Sequence, residues 1–530
     1  MGLRTRGAVL GAVLASVAAV PASAAPPSVV RTGGPSAPAD AKRAVVLSDA
    51  RLAGRPFTVT SAAGRVVLRG RLRAATGLAR PWRHAAVADL SAVRAPGTYR
   101  VRAAGLTAAR RWVVADGVAG AAVRTVLGFF AVNADGSERS PAHGPSHLAD
   151  AMLPDGTHAD LTGGWMDAGD TLKFTGTNAY AVLALLLAAR LDPADAAALT
   201  ESAGVGVRWL RKAHPAPGVF VSQVGDIRVD HRRDPTRGSD PAADDRSSVG
   251  GLARRRALTG IGTDSGGRVA AALALAAQAE ADPAQRAGLV GEARAWYDAG
   301  KDAGRLAPRL PRDPYPSGSG ADDMALGATE LHRATGDPAL LAEAMSWLAR
   351  AEPAESATWD AVGPLAAAEL CGIGSQPGCS FLREAAGHAA RRARKHALAT
   401  AGVLTWGTTT MQGGAGATLA MAGSDALAAD ARDWMLGRNP WGASFVAGLG
   451  PGAPVHVHHW AGGSPARLRG AVVGGPTTPS VLREEHIRYR QNRFDGPAGV
   501  YEDRAADYVT SEPAIVYAAS AVLLFAAMAT

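Results

Sequence analysis

The segment from Val269 to Ala281 is almost wholly Ala and Leu. A helix of that composition is apolar all round, so it must be buried on every side. A chain that builds one needs further helices to surround it. The text beyond about residue 118 supplies them. Asp192-Pro193, Asp282-Pro283 and Asp337-Pro338 each read as a helix start. The Asp side chain caps free backbone N–H groups, and Pro in the first turn loses no hydrogen bond. After Pro338, the residues Leu341, Met345 and Leu348 fall on one face. After Ser424, Leu427, Ala431, Trp434 and Met435 do the same, and Gly437 can close that helix in a left-handed turn. The stretch from Pro513 to Thr530 is very apolar but barely long enough to span a bilayer, and no basic flank follows it. It reads as a buried final helix. About a dozen helices and few strands are expected between 118 and 530, which suits a two-layered helical barrel better than a bundle.

The front of the chain has another texture. From 42 to 116, short runs alternate: Phe57 and Val59 with Thr58 and Thr60, then Tyr99 and Val101 with Arg100 and Arg102. Pro96-Gly97 marks a turn. Such runs at close spacing predict an antiparallel β-sandwich. Residues 25–41 are rich in Ala, Pro, Gly and Ser without an apolar period and read as a flexible leader. Residues 1–24 have the form of an export signal: Arg4 and Arg6, an apolar run from Ala8 to Val20, and Ala22-Ser23-Ala24 at the cleavage point. An extracellular location is expected, and with it a disulfide between the two cysteines, Cys371 and Cys379.

The chain's 530 residues exceed one ordinary core. Its net charge of +9 could suggest nucleic acid. The arginines are scattered, however, and the one cluster, Arg391, Arg392, Arg394 and Lys395, reads as a solvated helix face. No nucleic-acid partner and no membrane attachment after signal cleavage are expected, and the protein is expected to be a monomer.

Three stretches could carry chemistry. Gly163-Gly164-Trp165-Met166-Asp167-Ala168-Gly169-Asp170 places two carboxylates on a glycine-rich turn before an apolar helix. Close carboxylates raise one another's pKa, which suits a base that activates water; helix capping or a calcium loop would use the same residues. In Asp507-Tyr508-Val509-Thr510-Ser511-Glu512-Pro513, Glu512 stands at a helix start. The helix dipole alone explains it, or an apolar pocket keeps it protonated as a general acid. His456-Val457-His458-His459-Trp460 invites a metal, but sugar hydroxyls are equally consistent, since the spacing is not that of a helical His pair.

In this order the three stretches resemble glycoside hydrolase family 9, the cellulase family with an N-terminal immunoglobulin-like domain. Further stretches fit: Val87-Ala88-Asp89-Leu90-Ser91 followed by Pro96 to Val101 in the front domain, then Gln223-Val224-Gly225-Asp226 with Asp230-His231, Asp322 to Asp337, Leu436-Gly437-Arg438-Asn439-Pro440 with Ser444-Phe445-Val446, and Gly474-Gly475-Pro476. The resemblance implies an (α/α)6 barrel of six inner and six outer helices behind the sandwich. It implies hydrolysis of a β-1,4-glucan with inversion at the anomeric carbon. By position, Asp170 would be the general base, Asp167 its partner in holding the water, and Glu512 the general acid. His231, His458 and Tyr517 would line the sugar cleft. No cofactor is implied for catalysis. Some members bind zinc through cysteines ahead of the Asp-Ala-Gly-Asp motif; Asn133 to His147 has none, so no zinc is expected. A structural calcium near Asp322 and Asp323 occurs in some members.

The sequence departs from the family's pattern in places. Trp460 stands where the family usually has Arg, and Ser511 where it usually has Asn. Arg232, Arg233, Asp234 and Pro235 replace sugar-stacking tryptophans after His231, and the Trp of the Asp-Glu-Leu helix is replaced near Leu326. These changes are expected to fall on substrate contacts. They keep open an exo-acting hydrolase of another β-linked sugar, such as glucosaminyl oligosaccharides, or a non-catalytic carbohydrate-binding relative.

Overall fold

Strand β2 (Arg43–Ser48) carries the run Ala-Val-Val-Leu with no polar alternation. The reason is that both its faces are covered. Ala44 and Val46 point into the core between two sheets. Val45 and Leu47 point the other way, into the core shared with the helices. In the computed structural model, residues 28–77, 81–103, 106, 110–227, 230, 255–310, 314–462, 464–496 and 499–529 are described; the segment read as an export signal lies outside them.

The front domain is an antiparallel sandwich. One sheet orders β1 (Val29–Arg31), β2, β6 (His84–Asp89) and β5 (Arg73–Ala75). The other orders β4 (Val66–Arg71), β3 (Pro56–Ser61), β7 (Gly97–Ala103) and β8 (Arg110–Val114). The alternation seen in sequence is the register itself: Val59 pairs with Val101, and both are buried between the sheets. The Tyr99 hydroxyl donates to Ala95 O at 2.7 Å, a corner typical of immunoglobulin-like sandwiches.

The reading of 25–41 as a flexible leader is corrected for its described part. Residues 29–31 form β1, and Val30 to Gly34 are buried. Gly33 explains why a Gly/Pro-rich stretch packs: a Cβ there would lie 2.5 Å from Asp433 Cγ, so only glycine lets the backbone rest on the barrel. Asp40 then pairs with Arg432 at 2.7 Å, and Arg43 with Asp430 at 2.7 Å. Trp82 stacks on Phe494 at 5.8 Å.

Behind the sandwich, helices alternate between two layers. The inner ring is α2 (Thr175–Leu191), α4 (Thr263–Ala279), α6 (Ala321–Thr335), α8 (Gly363–Gly372), α10 (Thr408–Met421) and α14 (Ile515–Ala526), each against the next and α14 closing on α2. The outer layer is α1 (Val118–Asn133), α3 (Ala196–Lys212), α5 (Pro283–Ala303), α7 (Pro338–Leu348), α9 (Gln376–Lys395) and α11 (Asp425–Met435). This is an (α/α)6 barrel. The Ala/Leu segment belongs to the inner helix α4, and the apolar C-terminal segment to the inner helix α14, every residue of which is buried. No helix among the described residues is long and apolar enough to cross a membrane. Two short helices, α12 (Pro479–Glu484) and α13 (Tyr508–Ser511), lie in the last long connection. A small sheet joins β9 (Lys173–Phe174), β10 (Val221–Val224) and β11 (Ala257–Thr259) before α2 and α4.

Two helix readings need correction. Asp282 and Asp337 cap α5 and α7 through their side chains. Asp192 instead ends α2, its N–H bonded to Ala188 O, and α3 starts only at Ala196. On α7 the buried face is Leu340, Ala344 and Leu348, one residue out from the reading, and Met345 is exposed. Cys371 and Cys379 form a disulfide between the end of α8 and the start of α9, with Cα atoms 4.6 Å apart.

Candidate active site

The candidate residues lie just before inner helices. Asp167 and Asp170 precede α2, Tyr315 precedes α6, Trp359 precedes α8, Trp406 precedes α10, and Glu512 precedes α14. Inner helices run the same way through the barrel when each is followed by an outer return, so their N-terminal ends gather at one face. Positive φ at Gly163 (92°) and Gly164 (75°) makes the turn into the carboxylate loop. At Gly164 a Cβ would lie 2.6 Å from Trp209 Cγ, so glycine is needed there on both counts.

The loop is held from three sides. Asn133, at the end of α1, donates Nδ2 to Met166 O at 3.0 Å. The Trp460 N–H donates to Gly169 O at 2.9 Å, and the Ile515 N–H to Asp167 O at 2.8 Å. The Leu172 N–H donates to Asp170 Oδ1 at 3.0 Å. Glu512 meets this loop directly: the Gly169 N–H donates to Glu512 Oε1 at 3.1 Å. The carboxyl expected to act as acid therefore touches the backbone beside Asp170, although 343 residues separate Gly169 from Glu512. A Cβ on Gly169 would lie 2.8 Å from Glu512 Oε1 and 2.4 Å from His458 O. Glycine is what permits the approach.

Tyr315 was not read from the sequence. Its hydroxyl donates to Asp167 Oδ2 at 2.5 Å, and its ring packs edge-on against Phe174 (5.5 Å) and Trp359 (5.1 Å). Burial pushes the Tyr315 phenol up, and the charges of Asp167 and Glu512 push it further. Tyr517, buried, is raised by burial and then by the same two carboxylates. Both phenols stay protonated and can donate. Asp167 and Glu512 therefore lie close enough to both rings to act on them.

The histidine stretch separates. His456 is exposed, 3.4 Å from Asp503. His458 Nδ1 donates to Ala505 O at 2.5 Å, and its ring lies 5.9 Å from Tyr508. His459 is fully buried. Its Nδ1 accepts the Ala461 N–H, so Nε2 carries the proton and donates to Asn133 Oδ1 at 2.9 Å. Burial, with His458 and His143 nearby, lowers its pKa to about 3. It is a neutral strut: His459 fixes Asn133, and Asn133 fixes the carboxylate loop. No three His, Cys, Asp or Glu side chains converge as metal ligands would among the described residues.

The structure brings Asp167, Asp170, Glu512, His458 and Tyr517 to one region. His231 lies outside the described residues. Two of the substitutions expected in the cleft are buried instead, while Arg232, Arg233, Asp234 and Pro235, like His231, lie outside the described residues. Trp460 packs inside against His143 at 5.2 Å. Ser511 is also buried; its Oγ donates to Glu502 O and accepts the Arg504 N–H, bracing the 502–504 turn. Trp406, by contrast, is 38% exposed and lies 5.7 Å from Tyr508, on the side where a Cβ on Gly407 would touch Tyr517.

Comparison with known proteins now decides the family. Residues 120–525 match the profile of "Glycosyl hydrolase family 9", and residues 37–108 that of "Cellulase N-terminal ig-like domain". The chain belongs to glycosyl hydrolase family 9. It is 33% identical to Endoglucanase 15 of Arabidopsis thaliana over 207 residues, which are 36% of this chain and 40% of that one. It is 26% identical to Endoglucanase 14 of the same plant over 463 residues, 72% of this chain and 87% of that one. A crystal structure of a metagenome-derived family 9 endoglucanase superposes with a TM-score of 0.78 at 21% identity, over 95% of this chain and 99% of the other. That likeness shows the fold, front domain included.

Proposed function

We propose that the protein is a secreted, inverting β-1,4-glucanase of cellulase type, in which Asp170 activates water, Asp167 helps hold it, and Glu512 protonates the leaving oxygen. The observation that carries this reading is the Gly169 N–H on Glu512 Oε1. An inverting site needs an acid and a base on opposite sides of one sugar, with room for water at the base. Glu512 and Asp170, joined through Gly169 and approaching from different chain stretches, supply the two carboxylates for such a site. In a protonated carboxyl the carbonyl oxygen is the acceptor, so the hydrogen bond to Oε1 directs the acid's proton to Oε2. Tyr315 keeps a hydrogen-bond donor on Asp167, which favours its ionised form. Trp406, Tyr508 and His458 offer a half-exposed aromatic edge for a sugar face.

A panel of β-linked glucans and glucosaminyl oligosaccharides tests the proposal, with Glu512→Gln as control. The wild type should cut β-1,4-glucan, and NMR should show the α-anomer forming first. Loss of a general acid should lower kcat by roughly 10²- to 10⁴-fold, and glycosides with good leaving groups should regain part of it. Turnover of glucosaminyl substrates alone would replace the sugar assignment. Undiminished turnover by Glu512→Gln would refute the role of the acid. The N-terminus of the exported protein should begin at Ala25.

A further inference from the structure

Asp322 and Asp323 open the inner helix α6, at the position where some relatives were expected to hold calcium. Their surroundings do not fit a calcium ion. Arg268, 3% exposed on α4, grips Asp323 through both carboxylate oxygens, Nε to Oδ1 at 2.8 Å and Nη2 to Oδ2 at 3.1 Å. Gly267 lets the helices close around this pair: a Cβ there would lie 2.4 Å from the Asp323 backbone carbon. The neighbouring acids have donors of their own, the Gly363 N–H on Asp322 Oδ2 and the Ala307 N–H on Asp264 Oδ1. Asp322 Oδ1 is buried without a hydrogen-bond donor among the described residues, but calcium takes roughly six to eight oxygens. A guanidinium enclosed on Asp323 would also repel an added cation.

We infer that Arg268 is a built-in cation that makes this end of the barrel independent of calcium and positions Tyr315 against Asp167. The inference rests on the glucanase reading for its catalytic half only. The connection is short. Arg268 fixes Asp323 at the first turn of α6, and the 314–320 loop runs directly into that turn. Gly320 in that loop sits against Thr263 and the Asp264 N–H at the start of α4. Tyr315, Trp359, Phe174, Asp264 and Arg268 together wall one cavity of about 150 Å³. Releasing the α6 terminus from α4 therefore loosens the loop that aims the Tyr315 hydroxyl. Asp167, which receives it, is also faced by Glu512 and Tyr517 from the α14 side and has Asp170 on its own loop.

The full-length protein is melted in EDTA and in excess calcium chloride, and titrated with calcium in a calorimeter. The two melting points should agree within about 1 °C, with no saturable heat, whereas calcium at about 1,000-fold its Kd would raise the melting point of a calcium-binding chain this size by roughly 4 °C. Calcium-dependent melting or saturable binding by the wild type would overturn the first half, and neither readout needs turnover. For the second half, Arg268→Lys keeps the charge without the two-point grip and guards against misfolding of Arg268→Ala. Both should lower kcat with KM within about 2-fold of wild type. Both should also move the acid limb of the kcat profile to higher pH, as Tyr315→Phe should, because a lost donor makes the Asp167 carboxylate, which must be ionised to hold the water, more basic. The Arg268→Lys/Tyr315→Phe double variant should move it no further. An acid limb left at its wild-type position in both Arg268 variants, while Tyr315→Phe moves it, would reduce Arg268 to a packing residue. If the wild type turns over no β-glucan, the glucanase reading fails by itself. Positioning is then read from amide exchange across 314–320, which should quicken in Arg268→Lys; unchanged exchange would refute it.

Discussion

Gly169→Ala puts the site's central contact to a direct test. The new Cβ would lie 2.4 Å from His458 O and 2.8 Å from Glu512 Oε1, where ordinary contact begins at 3.4 Å. The His458 carbonyl cannot simply turn away. The 458–460 segment is pinned at both ends, His458 N–H to Ser511 O at 3.1 Å and Trp460 N–H to Gly169 O at 2.9 Å. Relief therefore means parting the carboxylate loop from the acid by about 1 Å, and misplacement on that scale costs roughly 100-fold in rate. Stability should fall by about 1–3 kcal/mol, the usual cost of overpacking. Initial rates on a soluble β-1,4-glucan should show the loss in kcat, with KM little changed. Gly336→Ala is the control: it has φ 76° and no atom within 4 Å of the added Cβ, so it strains the end of α6 without touching the site. It should lose stability and keep its kcat. Wild-type kcat in Gly169→Ala, or equal kcat losses in both, would refute the claim that this glycine sets the distance between acid and base.

Other perturbations separate further parts of the structure. Trp406→Ala should raise KM by roughly 2- to 10-fold, the worth of one aromatic stacking contact of about 0.5–1.5 kcal/mol, while kcat stays near wild type; an unchanged KM would remove Trp406 from the cleft. At the opposite end of the barrel, burial and then the nearby Glu369 push the Glu330 carboxyl up to about 8. A carboxyl raised in the fold binds a proton that the unfolded chain has released, so its contribution to stability is full below its ordinary value of 4.5 and is lost as pH rises toward 8. Glu330→Gln should flatten the fall in melting temperature between those limits, and parallel profiles would contradict the assignment. Replacing both Cys371 and Cys379 by Ser opens a loop of sequence separation 8 and should cost about 2–3 kcal/mol on the chain-entropy account, read by denaturant unfolding.

Local patterns in the chain announce whatever local forces determine. Asp282 and Asp337 cap helices because the capped N–H groups lie two or three residues away. Val59 and Val101 alternate because each strand has one buried face. Asp167, Asp170 and Glu512 were legible because they sit in contiguous motifs, yet their meeting at Gly169 could only come from the fold. Tyr315 escaped notice because its partner is 148 residues away. A signal for it existed nonetheless: like Asp170 and Glu512, it stands just before an apolar inner helix. The 29–34 stretch misled because its small residues, taken for flexibility, are what allow close packing on Asp433. Asp192 misled because capping competes with the continuation of α2 across it.

Two of the substitutions relative to the family, Trp460 and Ser511, acquire a different meaning once their side chains are placed. Trp460 and Ser511 flank the cleft in sequence, and a change at either would ordinarily be read as a change of substrate. Both turn inward. Trp460 fills space beside His143 and His459, at the strut that holds Asn133 and through it the carboxylate loop. Ser511 braces the turn from Glu502 to Arg504, next to the carbonyl that receives the His458 N–H. Both side chains therefore belong to the support of the carboxylate loop and its neighbouring turn. Exposed aromatic surface lies instead at the outer rim, where Trp406 and Tyr508 approach from the α10 and α14 sides. Arg232, Arg233, Asp234 and Pro235 lie outside the described residues; a change at Trp460 or Ser511 does not by itself argue for a new substrate, because neither side chain faces outward.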